Sequence, residues 1–101
     1  MIVRIWHGRT KASDADRYLK FLQQSGVQDY MNTPGNQEVN IWRSIEGEVA
    51  HFWTVSTWDR MESIKAFAGK DVEKAKYYPE DDGFLLEFEP TVKHYESFKV
   101  K

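Results

Sequence analysis

Histidine is the side chain that changes charge near neutral pH, and this chain has three, His7, His51 and His94. Each is a candidate general base or metal ligand. Tyr77 and Tyr78 stand side by side and can hydrogen-bond a phenolic substrate or stabilise a developing oxyanion, although one of them can equally pack as core. The run Glu80-Asp81-Asp82 lacks the spacing and glycine of a calcium loop, so it reads as solvated loop, with Asp81 able to cap a helix end or pair with Arg43 or Arg60. There is no cysteine, which removes disulfides, thiolate chemistry and cysteine-bound metals. No Gly-rich phosphate loop, G-x-S-x-G elbow or triad spacing is present. A single histidine in a pocket, His94 or His7, is preferred to a shared three-histidine site, and no metal is expected.

The composition bounds the partners of such a site. At 101 residues, with 41% hydrophobic and 30% charged residues, the chain is one soluble globular domain spanning residues 1–101. Fourteen basic against sixteen acidic residues give a net charge of -2 and no basic stripe, so nucleic acid is not an expected partner. The opening MIVRIWHGR lacks the apolar run of a signal peptide or a membrane span, which reads as a cytoplasmic protein with no membrane association. Aromatic content is high at 15%, with four Trp, and suits an interface or a cavity for a small aromatic ligand.

The elements that must position these residues follow from periodicity. Residues 2–7 are an apolar, β-branched run broken by Arg4 and read as a strand. Ser13 is an N-cap candidate for a helix over 14–25, with Ala15, Tyr18, Leu19 and Leu22 on one stripe, and Gly26 ends or bends it. Thr33-Pro34-Gly35-Asn36 is a strong turn signal. Residues 38–45 and 49–58 alternate around Glu46-Gly47-Glu48 and read as a β-hairpin. Asp59 with Glu62 offers a capping box for a helix that Gly69 stops. Asp71 is a cap candidate for a further short helix to Tyr77 or Tyr78, broken by Pro79. Residues 84–88 form an apolar, irregular arm, and 91–100 a last strand.

Strand, helix, strand, strand, helix, strand is the ferredoxin-like βαββαβ order, an α+β fold with helices on one face of a four-stranded antiparallel sheet in the order four, one, three, two. Both faces of the hairpin carry bulky apolar groups, among them Trp42 and Trp53. The second face therefore needs a cover, and a homodimer packed sheet to sheet as a dimeric α+β barrel is expected. In that topology the three histidines gather towards one end of the sheet, near Tyr77 and Tyr78.

The IVRIWHGRT opening, the TPGN turn, the helix after Trp58, the segment DVEKAKYYPEDDGFL and the closing VKHYE together resemble the antibiotic biosynthesis monooxygenase family, over nearly the whole length. The resemblance implies a dimeric α+β barrel with a pocket between helices and sheet in each protomer, with Trp6, His51, Phe67 and Tyr78 as its candidate lining. It also implies oxygenation of electron-rich aromatics without metal or flavin, and His7, His94 and Tyr77 are the catalytic candidates. The haem-degrading branch carries a Trp, a His and a first-strand Asn where this chain has Phe67, Tyr77 and Trp6-His7-Gly8, so haem degradation is not expected. Two functions are open: a cofactor-independent monooxygenase acting on a quinol or anthrone-like substrate, and a non-catalytic protein holding a small ligand or haem.

Overall fold

The computed structural model describes all 101 residues. Strand β1 (Ile2–Lys11) leads through a 3-10 turn (Ala12–Asp14) into α1 (Ala15–Gln24) and α2 (Gly26–Met31). Strands β2 (Asn36–Glu46) and β3 (Val49–Trp58) precede α3 (Met61–Ala68), and a second 3-10 turn (Pro79–Gly83) precedes β4 (Lys93–Glu96). The sheet order is β2-β3-β1-β4 with every pairing antiparallel, which is the expected α+β ferredoxin-like topology.

The periodicity of β1 and β3 decides what is buried. Because successive strand side chains point to opposite faces, Arg4, Trp6, Gly8 and Thr10 turn inward, while Val3, Ile5, His7 and Arg9 turn out. The register sets Trp6 against Thr54 and Gly8 against Phe52, so α1 packs Tyr18 and Leu22 onto Trp6 and Phe52 in the main core. A second cluster joins Tyr30, Trp58 and Ile64, with Phe67 and Val72 against it. Two glycines are demanded by close approach. A Cβ on Gly8 would lie 2.4 Å from Cη2 of Trp6, whose ring folds back over the strand. Gly35, at φ 95, docks the TPGN turn against the start of α3, where a Cβ would lie 2.2 Å from the Ser63 hydroxyl.

Several local expectations are corrected. No side chain caps α1; Ser13 lies within the 3-10 turn and Asp14 instead pairs with Arg17. The first helix does end and bend beside Gly26, at Ser25, but the chain then restarts as α2 with Gly26 as its first residue. Asp59 accepts a hydrogen bond from the Ser63 hydroxyl at 2.6 Å in place of a backbone cap. No helix forms over 71–78. The backbone of that segment is spent on residues 90–92 instead, through Ala75 N–H to Pro90 O (2.9 Å) and Val92 N–H to Glu73 O (2.8 Å). The last strand is four residues, not ten: past Glu96, opposite Ile2, only the Ser97 N–H finds a partner, Met1 O at 3.0 Å, and before Lys93 the chain pairs with residues 73 and 74 instead of β1.

No helix is long and apolar enough to cross a membrane. All three helices lie on one face of the sheet. The other face lies open, with Trp42 53% and Tyr95 49% exposed.

Candidate functional site

His7 and His51 meet on the open face. In the β1–β3 ladder His51 faces Arg9 and Trp53 faces His7, which sets the two imidazoles diagonally beside each other. Their rings stack at 5.2 Å with Nε2 of His7 2.9 Å from Nδ1 of His51, and Trp53 lies 5.1 Å from one and 5.8 Å from the other. Nδ1 of His7 lies 2.5 Å from the Glu89 carboxylate, and Nε2 of His51 lies 3.7 Å from that of Glu46. A carboxylate at Nδ1 assigns the proton there and leaves the lone pair on Nε2, where His51 donates.

The sheet edge brings Glu89 into place. Strand β4 pairs with Ile2–Ile5 of β1, and the backbone of the 84–88 arm joins that of β1 only through Leu86 N–H to Arg9 O (2.9 Å) and the Thr10–Leu85 bridge, while the Arg9 guanidinium pairs with the Glu87 carboxylate at 2.5 Å. Residues 6–8 of β1 have no ladder partner on that side, and Glu89 fills the gap. Its backbone oxygen accepts the Tyr77 hydroxyl at 2.6 Å, and the Tyr77 oxygen accepts the Trp6 indole N–H at 3.3 Å. Burial raises the Tyr77 phenol above its ordinary pKa, with the Trp6 bond opposing, so at neutral pH it is a donor and not a phenolate. Beside this cluster the open face forms a hollow of about 610 Å³. Ile5, Trp42, Trp53, Val92 and Tyr95 supply apolar and aromatic walls, and His7 and Glu89 supply the titratable groups. Pockets of this size hold drug-sized ligands.

The crevice between helices and sheet is far smaller, about 30 Å³. Trp6, Tyr18, Tyr30, Thr54, Tyr78 and Asp81 line it. Asp81 is 3% exposed, which corrects its reading as solvated loop. One oxygen accepts the Tyr18 hydroxyl at 2.8 Å and the other the Tyr78 N–H at 2.8 Å, capping the second 3-10 turn. Burial pushes its carboxyl above the ordinary range, against those two bonds. Tyr18 and Tyr78 are raised by burial first; Asp81 adds to the first, and the second donates to Asp29.

His94 stands apart from the other two histidines. It faces Arg4 in the β1–β4 ladder and so lies on the helix side of the sheet, with Nε2 3.2 Å from the guanidinium. Burial and then the Arg4 charge lower its pKa. The expected gathering of three histidines therefore fails on strand parity, since Arg4 and His7 are an odd number of residues apart. Of the candidate pocket residues, Trp6, Phe67 and Tyr78 lie on the helix side and His51 on the open side. Phe67 packs on Tyr30 at 4.6 Å and beneath the Arg4 and Lys76 cations. Glu89 and Arg4 were not among the candidates. Arg4 had a signal, a charge interrupting an apolar strand, whereas Glu89 had none beyond its proximity to Pro90.

These features define an α+β ferredoxin-like domain with an open aromatic sheet face, the fold of antibiotic biosynthesis monooxygenases. A solved antibiotic biosynthesis monooxygenase matches it with a TM-score of 0.66 at 14% identity, covering 98% of this chain and 100% of the other. The haem degrader MhuD of Mycobacterium tuberculosis, solved with two haems in its active site, matches with a TM-score of 0.61 at 18% identity over the full length of both chains. An uncharacterised NIPSNAP domain protein of Burkholderia xenovorans matches with a TM-score of 0.61 at 16% identity, covering 100% of this chain and 98% of that one. No protein-family model and no curated protein matches the sequence. At these identities the likeness is one of fold.

Proposed function

We propose that this protein is a cofactor-independent monooxygenase acting on a small electron-rich aromatic substrate of the quinol or anthrone type, and that it works as a homodimer closed over the open sheet face. The observation that carries the reading is the His7–Glu89 pair, 2.5 Å apart, at the wall of a 610 Å³ aromatic hollow. With Nδ1–H committed to Glu89, Nε2 of His7 is the basic position. A substrate hydroxyl or acidic C–H that displaces the His51 bond delivers its proton there, and Glu89 stabilises the imidazolium. The electron pair stays on the substrate, which then reduces O2. For an anthrone, the CH2 becomes C=O, with one oxygen atom entering the product and the other leaving as water. The protein supplies deprotonation and an apolar wall, and a second copy across the sheet face would exclude water.

Haem fits the residues poorly. Tyr77, at the position of the ligand His in the haem-degrading branch, already spends its oxygen on Trp6 and Glu89, and a 30 Å³ crevice does not admit a porphyrin without opening. The test is oxygen uptake by the purified protein with anthrone and with a reduced naphthoquinol under metal-free conditions. Protein-dependent uptake is expected with at least one of them, whereas uptake no faster than the buffer rate with both would overturn the assignment.

A further inference from the structure

One wall of the open-face hollow carries polar donors that the chain does not spend. Thr91, Lys93 and Tyr95 are alternate residues of the segment that runs into β4, and all three line the hollow. Between them Val92 is buried in the main core and His94 faces Arg4 on the helix side. A period of two therefore holds through 91–95 and turns the three side chains to the open face. None of the three side chains makes a hydrogen bond within the chain. Lys93 belongs to none of its ion pairs. An ammonium flanked by two hydroxyls, all with donors to spare, is suited to receive a carboxylate.

The two charges of the hollow are separated. Glu89 is spoken for, since it accepts the His7 N–H at 2.5 Å, whereas Lys93 has no counter-ion. In the β1–β4 ladder Lys93 stands opposite Ile5, two residues before His7. One strand spacing across and two residues along put its Cα about 8 Å from that of His7. Ile5 is the apolar floor between them, and Trp42 and Trp53 supply the aromatic wall. A ring lying on that floor reaches His7 at one end and Lys93 at the other.

We propose that the ligand of this hollow is an aromatic acid, whose ring presents a hydroxyl or acidic C–H to His7 and whose carboxylate Lys93 receives, with the Thr91 and Tyr95 hydroxyls beside it. Lys93 is then a specificity-determining residue, and a neutral aromatic of the same shape binds less tightly than the acid. The proposal rests on the oxygenase reading for the chemistry at His7, whereas the preference for a carboxylate is a property of binding alone. The carboxylate stays unchanged through the reaction and serves to fix which end of the ring meets the base.

The test titrates the full chain, labelled with 15N, with 6-hydroxy-2-naphthoate and with its neutral isostere 6-hydroxy-2-naphthamide at matched ionic strength. The amide resonances of Ile5, Lys93 and Tyr95 report on the hollow. The acid is expected to shift them saturably, and the amide to bind about two- to fivefold more weakly, the range of an exposed ion pair. Lys93→Met should bring the acid to the level of the amide and leave the amide where it was, and Lys93→Arg should restore the preference. Equal affinity of acid and amide for wild type, no saturable shift with the acid, or a preference that survives Lys93→Met overturns the proposal. The first two readouts need only the wild-type chain, so a variant that fails to fold does not shelter it. Oxygen uptake with an anthrone but no preference for the acid overturns this proposal alone. A preference for the acid without uptake from any substrate supports the carboxylate site and overturns the oxygenase reading.

Discussion

Glu89 meets His7 beside the stretch of β1, residues 6–8, whose backbone pairs with neither β4 nor the 84–88 arm, with 2.5 Å between carboxylate oxygen and Nδ1. The same residue's backbone oxygen receives the Tyr77 hydroxyl, so a single position ties the open face to the helix side around the sheet edge. If His7 is the base of an oxygenase, His7→Gln should lower oxygen uptake by about 10²–10⁴-fold. Glu89→Gln, which weakens the orientation and loses the charge, should lower it by about 10–100-fold, by analogy with the partners that orient metal-bound histidines. Uptake assays on both variants check this, and a His7→Gln protein at the wild-type rate would remove His7 from the chemistry.

Trp42 is half exposed beside Trp53 and Tyr95 on the open face. If a second copy covers that face, Trp42→Glu places a charge in the seam. Wild type should sediment as a dimer at micromolar concentration and Trp42→Glu as a folded monomer with unchanged far-ultraviolet circular dichroism. A monomeric wild type would end the dimer proposal.

Gly8 lies under its own strand neighbour, since a Cβ there would sit 2.4 Å from Cη2 and 2.6 Å from Cζ2 of Trp6 and 3.1 Å from Leu85. Gly8→Ala must displace a core indole and should cost about 1–3 kcal/mol. Urea unfolding measures it, and a variant as stable as wild type would mean that the Trp6 ring does not fold over the strand in solution.

The His94 pKa is lowered by burial and by the Arg4 charge from the ordinary 6.5. A depressed histidine in the folded state contributes stability that is full above the unfolded value and is lost as pH falls through 6.5 towards the folded one. Wild type should therefore lose unfolding free energy between about pH 7.5 and about pH 5 in excess of His94→Gln, which has no such group to protonate. Equal losses in the two proteins would show that His94 is not shielded.

Much of the fold was legible in residue order. Alternation in 49–58, the link at Gly47, and the stripe Ala15, Tyr18, Leu22 are local patterns, and burial at those positions follows them. That no helix forms over 71–78 was not legible, because the segment's backbone is claimed by residues 90–92 and its Val72 and Lys74 carbonyls by Arg4. Those competitors lie far along the chain, and no local propensity records them.

The site divides in the same way. Period-two alternation alone put Trp6 and His7 on opposite faces, and the lack of cysteine alone excluded thiolate chemistry. Which histidines share a face depended on register between strands distant in sequence: His51 came to His7, and His94 went to Arg4 on the other side. Asp81 looked like surface acid and is buried because Tyr18, from α1, and the Tyr78 N–H both need an acceptor there. Residue type and period determine what a side chain can do and which way it faces, whereas its partner is set by chain closure over tens of residues, where burial and hydrogen-bond demand are satisfied together.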